Sequence, residues 1–135
     1  MSKTLSNQEV EFLFSWLNIP LHGELLRHRN KFISIVESQH NSTNHKREEL
    51  LDKYADKDES GKMIVENGLI KMSEDNRKLF EHDFLDYLEN GSVDYGIPNN
   101  VCAGIKEILT TKIVKGLNIE EGKIFESIIE ELDMV

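Results

Sequence analysis

The fold of this chain depends on residues 21–57, which read LHGELLRHRN KFISIVESQH NSTNHKREEL LDKYADK. Apolar residues keep helical spacing at the start of this stretch and again at its end, whereas residues 37–49 contain no apolar side chain. One interpretation is a single long helix over about 21–57. The other is a helical hairpin with a polar loop, because Asn, Ser and Thr favour turns. Neither Gly nor Pro interrupts residues 24–60, which favours the long helix.

A shorter helix is predicted before this stretch. Ser6 is a candidate N-cap, and Glu9 stands three residues later, where its side chain can return a hydrogen bond to the cap. The residues that follow are apolar on more than one face, so this helix is expected to be buried or to dock on another subunit. Its aromatic residues and the basic residues further along are the candidate interface residues, namely Phe12, Phe14, Trp16, Arg27, Arg29 and Lys31.

A small antiparallel β-hairpin is predicted over about 62–72. Asn67 and Gly68 lie between two short apolar runs, and this dipeptide favours a two-residue hairpin turn because both positions tolerate a positive φ. Residues 92–97 have an extended pattern and can add a third strand to the hairpin.

Helical periodicity returns after the hairpin. Ser73 is placed to cap an amphipathic helix that Gly91 ends, and two further helices are predicted over about 100–115 and 119–132. The predicted fold class is therefore mainly α, within α+β, with a long N-terminal helix or helical hairpin, a small β-hairpin and C-terminal helices.

Length and charge narrow the possible functions. With 135 residues the chain is expected to form one domain, divided into a helical arm over 1–57 and a small α+β body over 58–135. The net charge of −9 makes nucleic acid an unlikely ligand, because phosphate binding needs basic residues. The N-terminal residues lack the apolar region of a secretory signal, and no apolar run approaches the roughly 20 residues of a membrane helix.

One acidic turn resembles a calcium-binding loop. Its candidate ligands are Asp56, Asp58, Ser60 and the carbonyl of Lys62. The last ligand position is occupied by Asn67, where such a loop needs a bidentate Glu, and a hairpin follows instead of a helix. An acidic turn between a helix and a hairpin explains the same residues, so we expect no bound metal.

Residues suited to catalysis are few. His82, Asp83 and Asp86 lie within about one helical turn and would suit a metal-dependent hydrolase, but no further ligand can be named from the sequence. Cys102 lies in an apolar segment without an identifiable base, as free core cysteines usually do. Glycine-rich phosphate loops are absent from the sequence. We therefore predict no enzymatic activity and no cofactor.

The central block carries a resemblance to a known group. The residues concerned are Leu50, Leu51, Tyr54, Asp56, Asp58, Gly61, Val65, Gly68, Phe80, Phe84, Tyr87, Leu88, Val93, Tyr95, Ile97 and Pro98. In residues 50–98 the sequence resembles a group of small uncharacterised proteins encoded by tailed bacteriophages and prophages. The resemblance implies a similar order of elements over residues 20–135. It also implies an accessory or virion-associated protein of the host cytoplasm or the virion, and it implies no catalytic residue.

Three functional hypotheses follow. The first is a non-enzymatic phage protein that binds a viral or host protein and forms homo-oligomers through the helical arm. The second is an acidic inhibitor of a host nucleic-acid-binding or defence enzyme, because residues 51–99 hold twelve acidic and six basic side chains. The third is a small metal-dependent hydrolase built around His82, Asp83 and Asp86.

Overall fold

A computed structural model describes residues 2–113 and 116–134 of the chain. Its elements in chain order are β1 (Lys3–Ser6), α1 (Asn7–Trp16), α2 (Gly23–Tyr54), β2 (Val65–Glu66), β3 (Leu69–Ile70), α3 (Glu74–Asn90), β4 (Ser92–Tyr95), α4 (Asn99–Thr111) and α5 (Ile119–Asp133). The predicted fold class is confirmed, because the described chain is mainly helical and contains the long helix, the small hairpin and the C-terminal helices.

The polar stretch of residues 37–49 lies inside the continuous helix α2, so the single-helix interpretation is confirmed. Polar side chains occupy the inward-facing positions there. Thr43 is buried, and Gln39 donates its amide to the carbonyl oxygen of the Asn7 side chain at 2.9 Å and to the Tyr87 hydroxyl at 3.2 Å. An amide that is hydrogen-bonded in this way can take the place of an apolar residue between packed helices.

The predicted start of α1 is confirmed. The Glu9 backbone N–H donates to the Ser6 hydroxyl at 3.0 Å, and the Ser6 N–H donates to the Glu9 carboxylate at 2.8 Å. Leu5 and Val10, on either side of the cap, are fully buried. These contacts fix the angle at which the chain enters α1.

The segment predicted as a third strand is extended, but its partner is not the hairpin. Strand β4 pairs antiparallel with β1, in a register that sets Leu5 opposite Val93. The backbone N–H of Asn7 continues this contact by donating to the carbonyl of Gly91 at 2.8 Å. The prediction for residues 92–97 is therefore corrected, because the N-terminal strand, which has no alternating apolar pattern, supplies the pairing.

The N-terminal strand also reaches the end of α5. Lys3 is buried, and its ammonium group donates a hydrogen bond to the backbone carbonyl of Met134. A cation at the C-terminal end of a helix is favoured by the partial negative charge of the last carbonyls. This contact explains how a lysine is accommodated in the interior.

The hairpin is present and is very short. Strands β2 and β3 pair Val65 with Ile70, and the turn residues Asn67 and Gly68 have φ values of 52° and 78°. Both positions thus have the left-handed conformation that the sequence predicted.

A hydrophobic core joins β1, α1, the first half of α2, β4, α4 and α5. Its fully buried members are Leu5, Val10, Leu13, Leu17, Phe32, Val36, Ile105, Ile108 and Ile128. The core thus draws on both the predicted arm, residues 1–57, and the predicted body, residues 58–135. Residues 37–90 contribute no member to it. We call these residues, which comprise the second half of α2, the hairpin and α3, the extension.

Helices α2 and α4 approach closely at Gly104. A Cβ atom built there would lie 2.5 Å from Cγ of His28, whereas one built at Gly122 in α5 would meet no atom within 4 Å. We expect Gly104→Ala to lower the free energy of unfolding by about 1–3 kcal/mol through this overlap. Gly122→Ala should raise it by up to about 1 kcal/mol through better helix propensity. Urea unfolding measures both changes. An equal gain in the free energy of unfolding for the two variants would contradict the close approach of α2 and α4 at Gly104.

Thr43 supplies a second stability test. Its side chain is 1% exposed, and its hydroxyl has no hydrogen-bond partner among the described residues. We expect Thr43→Val to raise the free energy of unfolding by about 1 kcal/mol, because the variant removes a buried, unpaired polar atom. Thr110, whose exposed hydroxyl bonds to the carbonyl of Lys106, is the matched control and should respond little to the same change. A larger loss of the free energy of unfolding in Thr43→Val than in Thr110→Val would contradict this account.

Candidate protein-binding groove

A groove of about 530 Å³ lies between α1 and the first half of α2. It is lined by Phe14, Leu17, Asn18, Arg29, Asn30, Ile33, Ser34 and Glu37. The volume falls within the range of about 300–1,000 Å³ that is usual for binding sites, and the mixture of apolar and polar groups is also usual. Phe14 and Ile33 are half-buried beside an arginine, a glutamate and small polar residues, whereas Leu17 is fully buried, so both apolar and directional contacts are available to an occupant.

Arg29 holds the two walls of the groove together. From α2 its Nη1 atom donates to the carbonyls of Leu17 at 3.0 Å and Ile19 at 2.6 Å, at and just beyond the end of α1. Its Nε atom donates to the side chain of Asn30 at 3.3 Å. Helix α1 has no basic residue in its own last turn, so Arg29 supplies the favourable charge there. Its Nη2 atom has no hydrogen bond within the described residues, which leaves it able to donate to a carboxylate.

Phe14 is fixed from the other side by a histidine of α2. The rings of Phe14 and His40 are stacked, with centroids 4.0 Å apart and planes inclined by 11°. The Nδ1 atom of His40 lies 2.7 Å from a carboxylate oxygen of Glu11. The apolar wall of the groove is therefore held in place by stacking and by a polar contact between α1 and α2.

Two of the aromatic candidates from the sequence pack inward. Trp16 is 7% exposed, and its ring lies 5.9 Å from that of Phe125 on α5 and 5.2 Å from that of Phe12. Phe12 is half-buried against the same core. The apolar character of α1 on more than one face thus serves mainly to fill the core of its own chain.

The other four candidates lie on or near the groove. Phe14 and Arg29 line it together, whereas Arg27 and Lys31 are exposed and are not among its lining residues. Arg27 faces Glu24 at 3.5 Å, where both side chains are largely exposed. An exposed pair of this kind contributes little to stability.

Sequence reasoning did not single out Leu17, Ile33 or Glu37 as groove residues. Leu17, which caps the end of α1, follows Phe14 by three residues, and Ile33 and Glu37 are four apart on α2, so each pair shares a helix face. This periodicity is visible in the sequence. What it does not reveal is that the two faces are adjacent, because that depends on the bond from Arg29 to the end of α1.

The acidic turn after α2 uses its carboxylate internally. A side-chain oxygen of Asp58 accepts hydrogen bonds from the Ser60 hydroxyl at 2.6 Å, the Ser60 N–H at 2.9 Å and the Lys62 N–H at 3.0 Å. The Ser60 hydroxyl, followed by the Lys62 N–H, lowers the pKa of Asp58. Across residues 2–113 and 116–134 no three or more His, Cys, Asp or Glu side chains gather in a way that suits a metal ion.

The residues considered for a hydrolase have other partners. The Tyr54 hydroxyl donates to the Asp83 carboxylate at 2.5 Å, and the side chain of Asn90 donates to Asp86 at 2.6 Å. Asp83 thereby connects the last residue of α2 to the middle of α3. Cys102, the remaining chemically reactive candidate, is buried, and burial raises the pKa of its thiol. A raised pKa reduces the fraction of the nucleophilic thiolate.

Comparison with protein-family models, with curated proteins and with solved structures gave no match. Within the part of the chain that the structure describes, no helix combines the length and apolar character needed to cross a membrane.

The Tyr54–Asp83 contact leads to a pH-dependent prediction. The Tyr54 hydroxyl, followed by His82, lowers the pKa of Asp83 below its usual value of 3.8. A depressed pKa contributes stability above the unfolded-state value, and this contribution is lost as the pH falls through the folded-state pKa. We therefore expect Tyr54→Phe to lower stability at neutral pH, and the part of this loss that depends on ionisation should vanish well below pH 3.8.

NMR titration of the side-chain carboxyl resonances measures this effect directly. In Tyr54→Phe the pKa of Asp83 should rise, while that of Asp58, whose hydrogen bonds lie within its own turn, should not change. An unchanged pKa at Asp83 would contradict the assigned role of the Tyr54 hydroxyl.

Proposed function

We propose that this protein is a non-enzymatic accessory or virion-associated protein of a tailed bacteriophage and that it binds another protein through the α1–α2 groove. The resemblance of residues 50–98 supports the phage origin. The groove supports the binding function, because apolar and charged side chains from two helices line one site of suitable volume. The partner is either a viral or a host protein.

The rigid construction of the groove is the observation that carries this proposal. Arg29 is bonded to the end of α1, and Phe14 is stacked on His40, so both walls are held before any partner arrives. A preformed site loses less conformational entropy on binding than a site that must be ordered.

The spacing of charges in the groove specifies the chemistry of the occupant. Arg29 and Glu37 lie eight residues apart on α2, which corresponds to about 12 Å along the helix axis. The half-buried side chains of Phe14 and Ile33 supply the apolar surface of the same groove. This arrangement fits an amphipathic helical segment of about two turns with apolar anchors one turn apart. The segment should place an acidic residue near Arg29 and a basic residue near Glu37.

Two serines on α2 allow a matched test. Ser34 lines the groove and bonds to the carbonyl of Lys31, whereas Ser42 lies outside the groove and bonds to the carbonyl of Ser38. We expect Ser34→Trp to fill the groove and weaken partner binding by about tenfold or more, and Ser42→Trp to have little effect. Affinity purification from phage-infected cells identifies proteins that the wild type and Ser42→Trp retain and that Ser34→Trp loses. Calorimetry with the purified partner then measures the difference in affinity.

The same experiment separates the proposal from its main alternative. A partner that Ser34→Trp binds as tightly as the wild type would contradict a role for the groove. If the affinity of that partner also fell steeply with salt, the result would favour the acidic-inhibitor hypothesis, because exposed charge–charge contacts are screened by ions.

A further inference from the structure

The groove between α1 and α2 has opposite charges at its two ends. Arg29, Ile33 and Glu37 follow one another at intervals of four residues on α2, so they form a single stripe along the groove. The half-buried Ile33 lies in the middle of this stripe, and Phe14 of α1 lines the same groove. The stripe therefore has a positive end at Arg29, an apolar centre and a negative end at Glu37.

The chain itself makes no use of the charge on Glu37. This side chain is exposed, and it has no hydrogen bond or ion pair within residues 2–113 and 116–134. Each of the other four acidic residues of α2 lies within 4.0 Å of a Lys, Arg or His side chain, the pairs being Glu24 with Arg27, Glu48 with His45, Glu49 with Lys46 and Asp52 with Lys57. Glu37 is thus available to a cation of an occupant.

Arg29 keeps its positive charge in a fixed orientation. Its Nη1 atom donates to the carbonyls of Leu17 and Ile19, and its Nε atom donates to the side-chain oxygen of Asn30. All three acceptors are neutral, and no carboxylate of the described chain pairs with the guanidinium. The Nη2 atom therefore offers an oriented contact to a carboxylate of the occupant, and such charged hydrogen bonds are stronger than neutral ones.

The dipole of a short helix makes the two possible directions of the occupant unequal. A helix has a partial positive charge at its N-terminal end and a partial negative charge at its C-terminal end, so acids are favoured in the first turn and bases in the last. A segment of about two turns that faces Arg29 with an acid and Glu37 with a base has both charges in its terminal turns. Both charges are at their favourable ends only if the N-terminal end of the segment lies beside Arg29.

Helix α1 favours the same direction. It runs from Phe14, which stacks on His40, to its C-cap Leu17, whose carbonyl accepts a hydrogen bond from Arg29, so it is antiparallel to α2. Arg29 repels the N-terminal end of an occupant, but the partial negative charge at the end of α1 offsets about half of that unit charge. The N-terminal end of α2 at Gly23 lies six residues, about 9 Å, before Arg29 and contributes little, since such partial charges act within one turn.

We infer that the groove is directional and receives a helical segment of another protein whose N-terminal end lies beside Arg29, parallel to α2 and antiparallel to α1. The segment has an acidic residue about seven positions, or two turns, before a basic one, with apolar residues between them. Directional binding rests on the proposed function, since the groove must first be a binding site, and it adds the order of charges in the partner.

Selection from a helical peptide library displayed on phage tests this direction. In the library, two positions about seven residues apart are randomised among acidic, basic and amide side chains, and apolar anchors lie between them. Peptides that the immobilised full chain retains and that Ser34→Trp does not retain are bound in the groove. Among these peptides, sequences with the acid first should be enriched over sequences with the base first by about threefold or more.

Charge reversal at Glu37 reports which end of the peptide lies beside it. Glu37→Lys should change the preference at the second randomised position from basic to acidic. The acidic preference at the first position, which faces Arg29, should remain. Glu48→Lys is the matched control, because Glu48 is exposed on α2 and lies outside the groove, and it should leave both preferences unchanged.

The opposite results would overturn directional binding. These results are enrichment of base-first sequences, equal enrichment of both orders, a change at the first position in Glu37→Lys, or a selection without any groove-dependent peptide. The proposed function is judged separately by the affinity purification. A natural partner that the wild type retains and Ser34→Trp loses supports binding in the groove even where its charges have the other order.

Discussion

The hydrogen bonds of the Gln39 side chain connect the polar stretch of α2, residues 37–49, to two other helices. The amide reaches Asn7 at the start of α1 and Tyr87 in α3, so three helices meet at one side chain. A partly buried amide between packed helices needs its hydrogen bonds, and here both acceptors come from elements far away in sequence. Together with the hydrogen bond from Tyr54 to Asp83, this junction holds α3 against the second half of α2.

Local signals in the sequence predicted the local structure well. The cap formed by Ser6 and Glu9 and the turn at Asn67 and Gly68 follow from hydrogen bonds and φ preferences that involve only neighbouring residues. The pairing of β1 with β4 could not be predicted, because the N-terminal strand has no alternating pattern and its partner is about 90 residues away. Two of the interface candidates, Phe14 and Arg29, line the groove, but the groove itself was not predicted, since its walls come together through the same kind of distant contact.

The groove and the hairpin differ in how their residues are held. The groove belongs to the part of the molecule that holds the hydrophobic core, and its walls are fixed by Arg29 and by the stacked ring of His40. The hairpin lies on the extension, where few side chains are buried. A firmly held site suits selective binding of one partner.

The contacts of the N-terminal strand have a consequence for how the chain is made. Strand β1 cannot pair until β4 has been synthesised, and Lys3 reaches its partner carbonyl only when Met134, 131 residues later, has left the ribosome. Contacts between such distant residues slow folding, because a large loop must close before they form. Until β4, α4 and α5 have been made, α1 can pack only against α2 and α3. Strand β1 is made first and yet is among the last elements to reach its final contacts.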